Sequence, residues 1–302
     1  MKHLLKLMDC TSEEIIEILN LADQLKYELK HGIPHRHLEG KTLGMIFEKS
    51  STRTRVSFEV GMFQLGGYPL FLSSNDLQIG RGEPVQDTAR VLSRFLDGIM
   101  IRTFEQAEVE ALAEYGSIPI INGLTDFCHP CQILADLMTI REFKGHLQGL
   151  KMCFIGDGNN MMNSLIVGAL KTGMSISVAC PEGYEPHEDV LKFAAEYGDK
   201  FEMVRDPFVA AKNADVVITD VWASMGQEGE AKKRAEAFEG VYQINSELLK
   251  VANKGCMVQH CLPAHRGEEI TEEVFEGHAN EIFEEAENRL HAQKAVLVTL
   301  MK

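Results

Sequence analysis

Residues 43–55 read Leu-Gly-Met-Ile-Phe-Glu-Lys-Ser-Ser-Thr-Arg-Thr-Arg. The first five residues form a short apolar run, which is typical of a strand that is buried on both faces. A helical pattern begins after Ser51, a residue type that caps the first turn of helices. A buried strand that leads directly into a helix is the repeating unit of a parallel α/β sheet. This stretch therefore predicts the fold class of the first part of the chain.

The same alternation of apolar runs and helical patterns continues along the chain. Thr11-Ser12-Glu13-Glu14 is a capping box that opens the first helix. Strands are predicted at residues 43–47, 68–72, 98–101, 118–121, 151–155, 175–179, 201–204, 216–219 and 257–259. Further helices are predicted at residues 84–95, 105–115, 132–143, 228–238 and 287–300. Short apolar strands separated by helices indicate parallel sheets that are covered on both faces.

Two series of these units predict an α/β protein with two doubly wound parallel-sheet domains. Residues 1–140 form the first domain and residues 141–285 the second, with a hinge near residues 130–148. Residues 286–302 are expected to form a C-terminal helix that packs back on the first domain. Because ligands of open α/β sheets bind beyond the carboxyl ends of the strands, we expect the active site in the cleft between the domains.

The composition is that of a soluble globular protein, with 302 residues, 45% hydrophobic and 25% charged. The formal net charge of −15 argues against nucleic-acid binding, although a locally basic pocket can still bind a small anion. No apolar run reaches the roughly 18–20 residues that cross a bilayer, and the N-terminal apolar stretch is too short for a secretory signal. Seven cysteines, an odd number, favour reduced thiols over a disulfide framework. We therefore expect a cytoplasmic protein.

The segment Ser51-Thr52-Arg53-Thr54-Arg55 has the properties of a phosphate-binding helix N-terminus. Free backbone N–H groups, hydroxyls, the helix dipole and an arginine fork all favour an anion there. The alternative is an ordinary N-cap beside two surface arginines, and the local pattern alone leaves both interpretations open. The segment is not a Walker loop, because the glycine-rich stretch and the Gly-Lys pair are absent.

Cys128-His129-Pro130-Cys131 permits two other hypotheses. A C-x-x-C motif at a helix start can carry out thiol–disulfide exchange. The same residues could instead bind a metal together with Cys256, His260 and Cys261. Neither hypothesis is favoured, since the adjacent histidine and cysteine of the second cluster suit one tetrahedral centre poorly.

Two further loops follow predicted strands. Gly156-Asp157-Gly158-Asn159-Asn160-Met161 resembles the start of a dinucleotide fingerprint, but Met161 stands where the third glycine belongs. A nicotinamide-dependent oxidoreductase is therefore the weaker alternative, and the two asparagines suggest recognition of a polar ligand. The loop at residues 219–228 contains Asp220 and Ser224, which suit the α-ammonium and α-carboxylate of an amino acid.

At these motifs the chain resembles the aspartate/ornithine carbamoyltransferase family, and within it the ornithine-specific branch. Ser-Thr-Arg-Thr-Arg at residues 51–55 and His-Pro-Cys-Gln at residues 129–132 resemble the carbamoyl phosphate motifs of the family. Ser-Met-Gly-Gln-Glu at residues 224–228 and His-Cys-Leu-Pro at residues 260–263 resemble the ornithine-specific pair. The motifs agree in order and spacing, and the resemblance spans essentially the whole chain.

The resemblance assigns roles residue by residue. Carbamoyl phosphate would be bound by Ser51, Thr52, Arg53, Thr54, Gln78, Arg102, His129, Gln132, Cys261, Leu262 and Arg289. Ornithine would be bound by Asn160, Asp220, Ser224 and Met225. Arg102 and His129 would be directed at the carbamoyl oxygen, and with Cys261, beside the reacting amine, they are the expected catalytic residues. Gln78 matches a loop position that reaches into the site of a neighbouring subunit.

The resemblance also implies an activity. The first domain would bind carbamoyl phosphate and the second L-ornithine, and carbamoyl transfer to the side-chain amine would give L-citrulline and phosphate in arginine metabolism. It further implies a homotrimer or a higher assembly of trimers with shared sites, and neither metal nor organic cofactor. Transfer to another amine, such as putrescine, remains an alternative at this stage.

Overall fold

The computed structural model describes residues 1–223 and 228–302. The chain divides into two compact units. Unit 1 comprises Met1–Met138 and Asn288–Lys302, and unit 2 comprises Thr139–Glu287. Within the described ranges, no helix combines the length and the apolar character needed to span a membrane.

Helices and strands alternate along the chain. The helices are α1 Ser12–Lys30, α2 Thr52–Gln64, α3 Val85–Leu92, α4 Gln106–Tyr115, α5 Pro130–Lys144, α6 Asn160–Lys171, α7 Glu188–Ala195, α8 Pro207–Ala211, α9 Ala231–Phe238, α10 Ser246–Leu249, α11 Glu272–Gly277 and α12 Ala279–Met301. The strands are β1 Thr42–Phe47, β2 Tyr68–Ser73, β3 Gly98–Arg102, β4 Ile120–Leu124, β5 Lys151–Ile155, β6 Ser175–Ala179, β7 Phe201–Val204, β8 Val216–Thr219 and β9 Met257–His260. The predicted α/β fold class is confirmed.

Each unit contains one parallel sheet. The strand order is β2-β1-β3-β4 in unit 1 and β7-β6-β5-β8-β9 in unit 2. In both sheets the chain builds outward in one direction and then returns to build in the other. The reversal lies between β1 and β3 in unit 1 and between β5 and β8 in unit 2. Such a switch point leaves a crevice at the carboxyl ends of the two strands, where polar loops can hold a ligand.

Strand β4 ends later than the sequence predicts, at Leu124 instead of Ile121. Asn122 and Gly123 are residue types that weaken a strand pattern. The structure accommodates Asn122 because its buried side-chain amide donates to the carbonyl oxygen of Leu5 at 2.8 Å, while its backbone N–H donates to the carbonyl of Leu4. The N-terminal segment therefore pairs with this edge of the sheet and extends the strand.

Helix α12 begins at Ala279, earlier than the predicted residue 287. Its first turns carry many acidic side chains, which hide the apolar periodicity of a buried helix. Two of these side chains have a structural use in unit 2. Glu281 accepts a hydrogen bond from the backbone N–H of Val258 at 2.8 Å, and Glu285 accepts one from the N–H of His260 at 3.0 Å. The carboxylates thus satisfy the free N–H groups along the edge strand β9.

Helix α2 buries Phe58 and Met62 but exposes three other apolar side chains. These are Val56, Val60 and Phe63, and Phe63 is 73% exposed. The buried face also carries small or polar residues, including Ser57 and Gly61. A Cβ atom on Gly61 would lie 3.1 Å from Cγ of Lys294, so glycine permits close approach of α12. The apolar face formed by Val56, Val60 and Phe63 is therefore an outer surface of unit 1.

Gly158 should be required by packing within unit 2. Its N–H donates to the carbonyl of Tyr184 at 2.9 Å, and an added Cβ would overlap the carbonyl group of Glu185. Because those obstacles are backbone atoms, Gly158→Ala should lower the free energy of unfolding by about 2 kcal/mol, measured by chemical denaturation. Gly277→Ala is the matched control, since nothing lies within 4 Å of its added Cβ and alanine favours a helix. Equal stability of the two variants would contradict this packing role.

Candidate active site

The turn from β1 into α2 places a helix N-terminus, a position that favours an anion, at the switch point of unit 1. Ser51 is the N-cap, and its Oγ accepts from the backbone N–H of Thr54 at 3.2 Å. The two hydroxyl oxygens of these residues are 3.1 Å apart. Thr52 and Arg53 occupy the first turn, where the N–H groups and the helix dipole favour negative charge. The segment predicted to bind phosphate is therefore folded as the capped start of a helix.

Arg102 ends strand β3, the neighbour of β1 across the switch point. Its side chain is buried, and its carbonyl oxygen accepts from the N–H of Glu48 at 2.9 Å. The next residue, Thr103, donates its hydroxyl to a carboxylate oxygen of Glu108 at 2.5 Å and also contacts the carboxylate of Glu48. These polar contacts fix the backbone that presents Arg102. Sequence reasoning did not identify them, because Glu48 and Glu108 lie in different elements.

His129 lies directly before α5 and is buried. Burial lowers the pKa of its imidazole well below the ordinary value, and the nearby positive charges of Arg289, Arg102 and Arg53 lower it further. The imidazole is therefore neutral at physiological pH. The same electrostatic effect shows that three predicted anion-binding arginines converge on one histidine. Three guanidinium groups therefore lie near one neutral ring, within a chain of net negative charge.

Arg289, on α12, joins the parts of the unit 1 site. It donates to the side-chain oxygen of Gln132 and to Oγ1 of Thr54, the latter at 3.2 Å. The amide of Gln293 also accepts from Arg289 at 2.9 Å and contacts Ser57 Oγ at 2.5 Å. Gln132 in turn donates to Asp136 at 2.8 Å. The structure thus brings together the predicted residues Thr54, Gln132 and Arg289, each from a different helix.

Gln78 lies apart from this group. It is exposed in the loop between β2 and α3, and its carbonyl oxygen accepts from the N–H groups of Arg81 and Glu83 at 2.8 and 3.1 Å. Its side chain is therefore presented on the outside of unit 1.

In unit 2, the carboxyl ends of β8 and β9 bring Asp220 and Cys261 together. The thiol of Cys261 donates to Oδ1 of Asp220 at 3.1 Å, and the side-chain amide of Asn159 donates to Oδ2 at 3.0 Å. Each carboxylate oxygen keeps further acceptor capacity, which suits an ammonium group. Asn159 is also the N-cap of α6, where its side chain accepts from the N–H groups of Met161 and Met162. The sequence suggested that both asparagines recognise a polar ligand and assigned ornithine binding to Asn160, but it did not predict the capping role of Asn159.

The loop after β9 is held by a buried histidine–glutamate pair. Nε2 of His260 lies 3.0 Å from Oε1 of Glu269, and both side chains are fully buried. Nδ1 of His260 accepts from the N–H of Leu262 at 2.9 Å, so Nε2 carries the proton and donates to Glu269. Leu262 has a φ of +59°, an uncommon conformation for a branched residue. The pair therefore fixes the backbone beside Cys261.

The remaining predicted ornithine-binding residues are placed as follows. Asn160 begins α6 and is largely buried, at the switch point of unit 2. Ser224 and Met225 lie outside the described residues.

The cysteine-based alternatives lose support in the structure. Burial raises the pKa of Cys128 and of Cys131 to about 12, whereas thiol–disulfide exchange needs a lowered pKa. All seven cysteines lie among the described residues and are free thiols. Ligand atoms of Asp220, His260 and Cys261 do lie within 4.8 Å of one another. However, the ring nitrogens of His260 are engaged with Glu269 and with the N–H of Leu262, which leaves neither of them ready to bind a metal.

The glycines of the loop after β5 have a structural explanation that differs from dinucleotide binding. Gly158 allows close packing on the Tyr184–Glu185 backbone. Asp157 forms a buried ion pair with Arg234 of α9, at 2.6 Å. The sequence does not reveal this pair, because its members are 77 residues apart, one in a loop and the other in a helix of unit 2.

Two family models match the chain. The model described as aspartate/ornithine carbamoyltransferase, carbamoyl-P binding domain, matches residues 2–142. The model described as aspartate/ornithine carbamoyltransferase, Asp/Orn binding domain, matches residues 148–300.

Individual proteins are similar over nearly the full length. The ornithine carbamoyltransferase of Carboxydothermus hydrogenoformans is 57% identical over 304 residues, covering 99% of this chain and 97% of that protein. The solved ornithine carbamoyltransferase of Pyrococcus furiosus has a TM-score of 0.94 and 54% identity, covering 99% of this chain and 97% of that one. The anabolic ornithine carbamoyltransferase of Campylobacter jejuni has a TM-score of 0.93 and 46% identity, covering 99% of both chains.

His129 should contribute to the pH dependence of stability. Because its pKa is lowered in the folded state, only the unfolded state takes up this proton as the pH falls below about 6.5. Its contribution to the free energy of unfolding is therefore present above the ordinary pKa and is lost as the pH falls. Chemical denaturation at a series of pH values should show a shallower loss between about pH 6.5 and 5 in His129→Gln than in the wild type. His146→Gln, at an exposed position, controls for the loss of one histidine, and identical pH slopes in all three proteins would refute the effect.

Proposed function

Because the chain belongs to the aspartate/ornithine carbamoyltransferase family, we propose that it transfers the carbamoyl group of carbamoyl phosphate to the side-chain amine of L-ornithine. The products are L-citrulline and phosphate, and the reaction belongs to arginine metabolism, in either the biosynthetic or the catabolic direction. Unit 1 binds carbamoyl phosphate and unit 2 binds ornithine.

One observation carries the proposal most strongly: Arg53, Arg102 and Arg289 all act on the neutral His129. A dianionic phosphate needs concentrated positive charge, and its binding is strengthened where donors are held in place before the ligand arrives. The capped start of α2 adds backbone N–H groups and the hydroxyls of Ser51 and Thr54 to these cations. This combination suits an acyl phosphate, which carries both a phosphate and a carbonyl oxygen.

The residues of unit 1 have two tasks: some bind the leaving phosphate and others bind the carbonyl oxygen. Ser51, Thr52, Arg53 and Thr54 hold the phosphate, which departs into a site that already compensates its charge. Arg102 and His129 donate to the carbamoyl oxygen, where negative charge develops as the amine attacks. Gln132 and Arg289 hold the remainder of carbamoyl phosphate, supported by the hydrogen bond between them. A neutral His129 can donate one ring N–H without competing with the arginines for the anion.

The residues of unit 2 hold the amino acid. Asp220 accepts the α-ammonium, with its carboxylate oriented by Asn159 and Cys261. Asn160, Ser224 and Met225 complete ornithine binding, and Cys261 and Leu262 lie beside the reacting amine. Because the thiol of Cys261 donates to a carboxylate, Cys261 acts as a polar contact of the reacting group, whereas the substrate amine is itself the nucleophile. The amine must react in its neutral form, since lysine-like amines titrate near about 10.

We also propose a cytoplasmic homotrimer, alone or in a larger assembly, with sites shared between subunits. The exposed apolar face of α2, formed by Val56, Val60 and Phe63, is a surface that a second copy would cover. The exposed Gln78 is then available to a neighbouring subunit's carbamoyl phosphate. Free thiols throughout the described chain are consistent with a reducing compartment. Light scattering of the purified protein should give three chain masses or a multiple of three, and a monomer would refute the assembly.

Substitutions of two arginines of unit 1 should affect the KM for carbamoyl phosphate and kcat separately. Arg53→Ala should raise the KM for carbamoyl phosphate, because Arg53 is assigned to the phosphate. Arg102→Ala should lower kcat by about 100-fold or more, because a lost donor to the developing oxyanion costs about 3–4 kcal/mol. Citrulline formation measures both effects, and circular dichroism checks the fold. Arg90→Ala is the matched control at an exposed position of unit 1, and near-normal activity in both test variants would overturn the assignment.

Asp220 should determine the use of ornithine. Asp220→Asn should weaken ornithine turnover by roughly 100-fold or more while carbamoyl phosphate binding to unit 1 stays near normal, because a buried charge-assisted contact to the α-ammonium is lost. Putrescine and aspartate, offered in parallel to the wild type, should be poor substrates. Putrescine lacks the carboxylate, and aspartate has no side-chain amine to attack. Equal kcat/KM for putrescine and ornithine, or full ornithine turnover by Asp220→Asn, would refute the substrate and leave carbamoyl transfer standing.

A further inference from the structure

Two acidic side chains lie buried at the switch point of unit 2. Asp157 follows β5 and Asp220 follows β8, and these strands are parallel neighbours in the sheet. Each residue is 6% exposed. Asp220 is close enough to raise the pKa of Asp157 by its charge. The carboxyl edge of β5 and β8 therefore holds two like charges, of which the proposed ornithine contacts require only Asp220.

Arg234 of α9 compensates one of these charges. Its Nη1 donates to Oδ2 of Asp157 at 2.6 Å and to the carbonyl of Trp222 at 3.2 Å. Its guanidinium also lies 5.2 Å from the ring centre of Tyr184. The side chain is 9% exposed, and its partner Glu230, 3.4 Å from Nε, is solvent-exposed and therefore screened. Arg234 thus acts mainly on Asp157.

The pKa of Asp157 reflects the opposing effects of burial and of the neighbouring charges. Burial raises its pKa to about 6, and Asp220 raises it too, while Arg234 lowers it. Without the guanidinium, this carboxyl group would keep its proton to a higher pH. Arg234 therefore allows Asp157 to be ionised at neutral pH and cancels the charge that results.

We propose that Arg234 is a specificity-determining positioning residue, which leaves Asp220 as the one uncompensated charge between β5 and β8. This inference rests on the proposed ornithine activity. Ornithine presents one ammonium and one carboxylate besides the attacking neutral amine, whereas a diamine presents an ammonium alone. A second uncompensated carboxylate would repel the substrate carboxylate and attract the diamine, so the ion pair of Asp157 and Arg234 favours the amino acid. Glu269, a further buried carboxylate, pairs with His260, and neither residue is substituted in the variants below.

Two single variants should change the selectivity for ornithine over putrescine in opposite directions. Arg234→Gln removes the compensating charge, and the ratio of kcat/KM for ornithine to that for putrescine should fall by about tenfold. Asp157→Asn removes the compensated charge and leaves Arg234 in excess, so the same ratio should rise, with a higher KM for ornithine. Lys233→Gln is the matched control, because it removes one positive charge from an exposed position of the same helix. The KM for carbamoyl phosphate should stay the same throughout.

The double variant Asp157→Asn/Arg234→Gln separates electrostatics from structure. It restores the charge balance without the ion pair, so the wild-type selectivity should return even where thermal unfolding shows lower stability. The loss in Arg234→Gln should also grow from about pH 6 to about pH 9, relative to the wild type at each pH, as Asp157 loses its proton.

Several results would overturn the inference. These are a selectivity that does not change in Arg234→Gln, single variants that shift it in the same direction, or a double variant no better than Arg234→Gln. If Arg234→Gln does not fold, Asp157→Asn and the double variant still decide the question, because they predict a raised and a restored ratio. Failure of the wild type to form citrulline would instead refute the proposed function on which the inference rests.

Discussion

Parallel strand pairing is the constraint on which the rest of this molecule depends. Every strand of a parallel sheet has its carboxyl end at the same edge, so polar residues that follow different strands are collected there however far apart they lie in the chain. In unit 1 this edge receives Ser51 after β1 and Arg102 at the end of β3. In unit 2 it receives Asp157, Asp220 and Cys261 after three neighbouring strands. The strand order places the functional residues of each unit, and the loops provide their chemistry.

A second requirement follows from the burial of these residues. A charged group in the interior must be paired or must lose its charge, because desolvation otherwise costs several kcal/mol. The structure uses both solutions. His129 is kept neutral beside three arginines, whereas Asp157 keeps its charge against Arg234. Arg289 donates hydrogen bonds to neutral oxygens of Thr54 and Gln132.

The sequence predicts the local features of this fold and much of its candidate site, because those features depend on residues that are close together in the chain. Short apolar runs identify buried strands directly, and the Thr11 capping box and the Ser51 cap lie where the patterns indicate. The cap at Ser51 has a local signal, whereas the roles expected of Arg102 and His129 come from the resemblance of the chain to the family. Ion pairs and hydrogen bonds between distant segments have none, which explains why the pair of Asp157 and Arg234 was not predicted.

Two helices show what periodicity leaves out. In α2, periodicity cannot distinguish residues that face a core from residues that face outward, since Phe58 is buried and Phe63 lies outside. The acidic start of α12 hides a helix, because the pattern cannot show that Glu281 and Glu285 serve the backbone of β9. In both cases the missing information is the identity of the neighbouring segment.

The position of Arg289 has a consequence for biosynthesis. Residues 1–138 leave the ribosome first and can pair β1 to β4, yet Arg289 and Gln293 follow the whole of unit 2 in the chain. The anion site of unit 1 is therefore completed last, after the second sheet has been made. A chain that stops early retains the strands but lacks the guanidinium that joins Thr54 to Gln132. The last helix to be synthesised is thus the one that completes the hydrogen-bonded group of Thr54, Gln132 and Arg289.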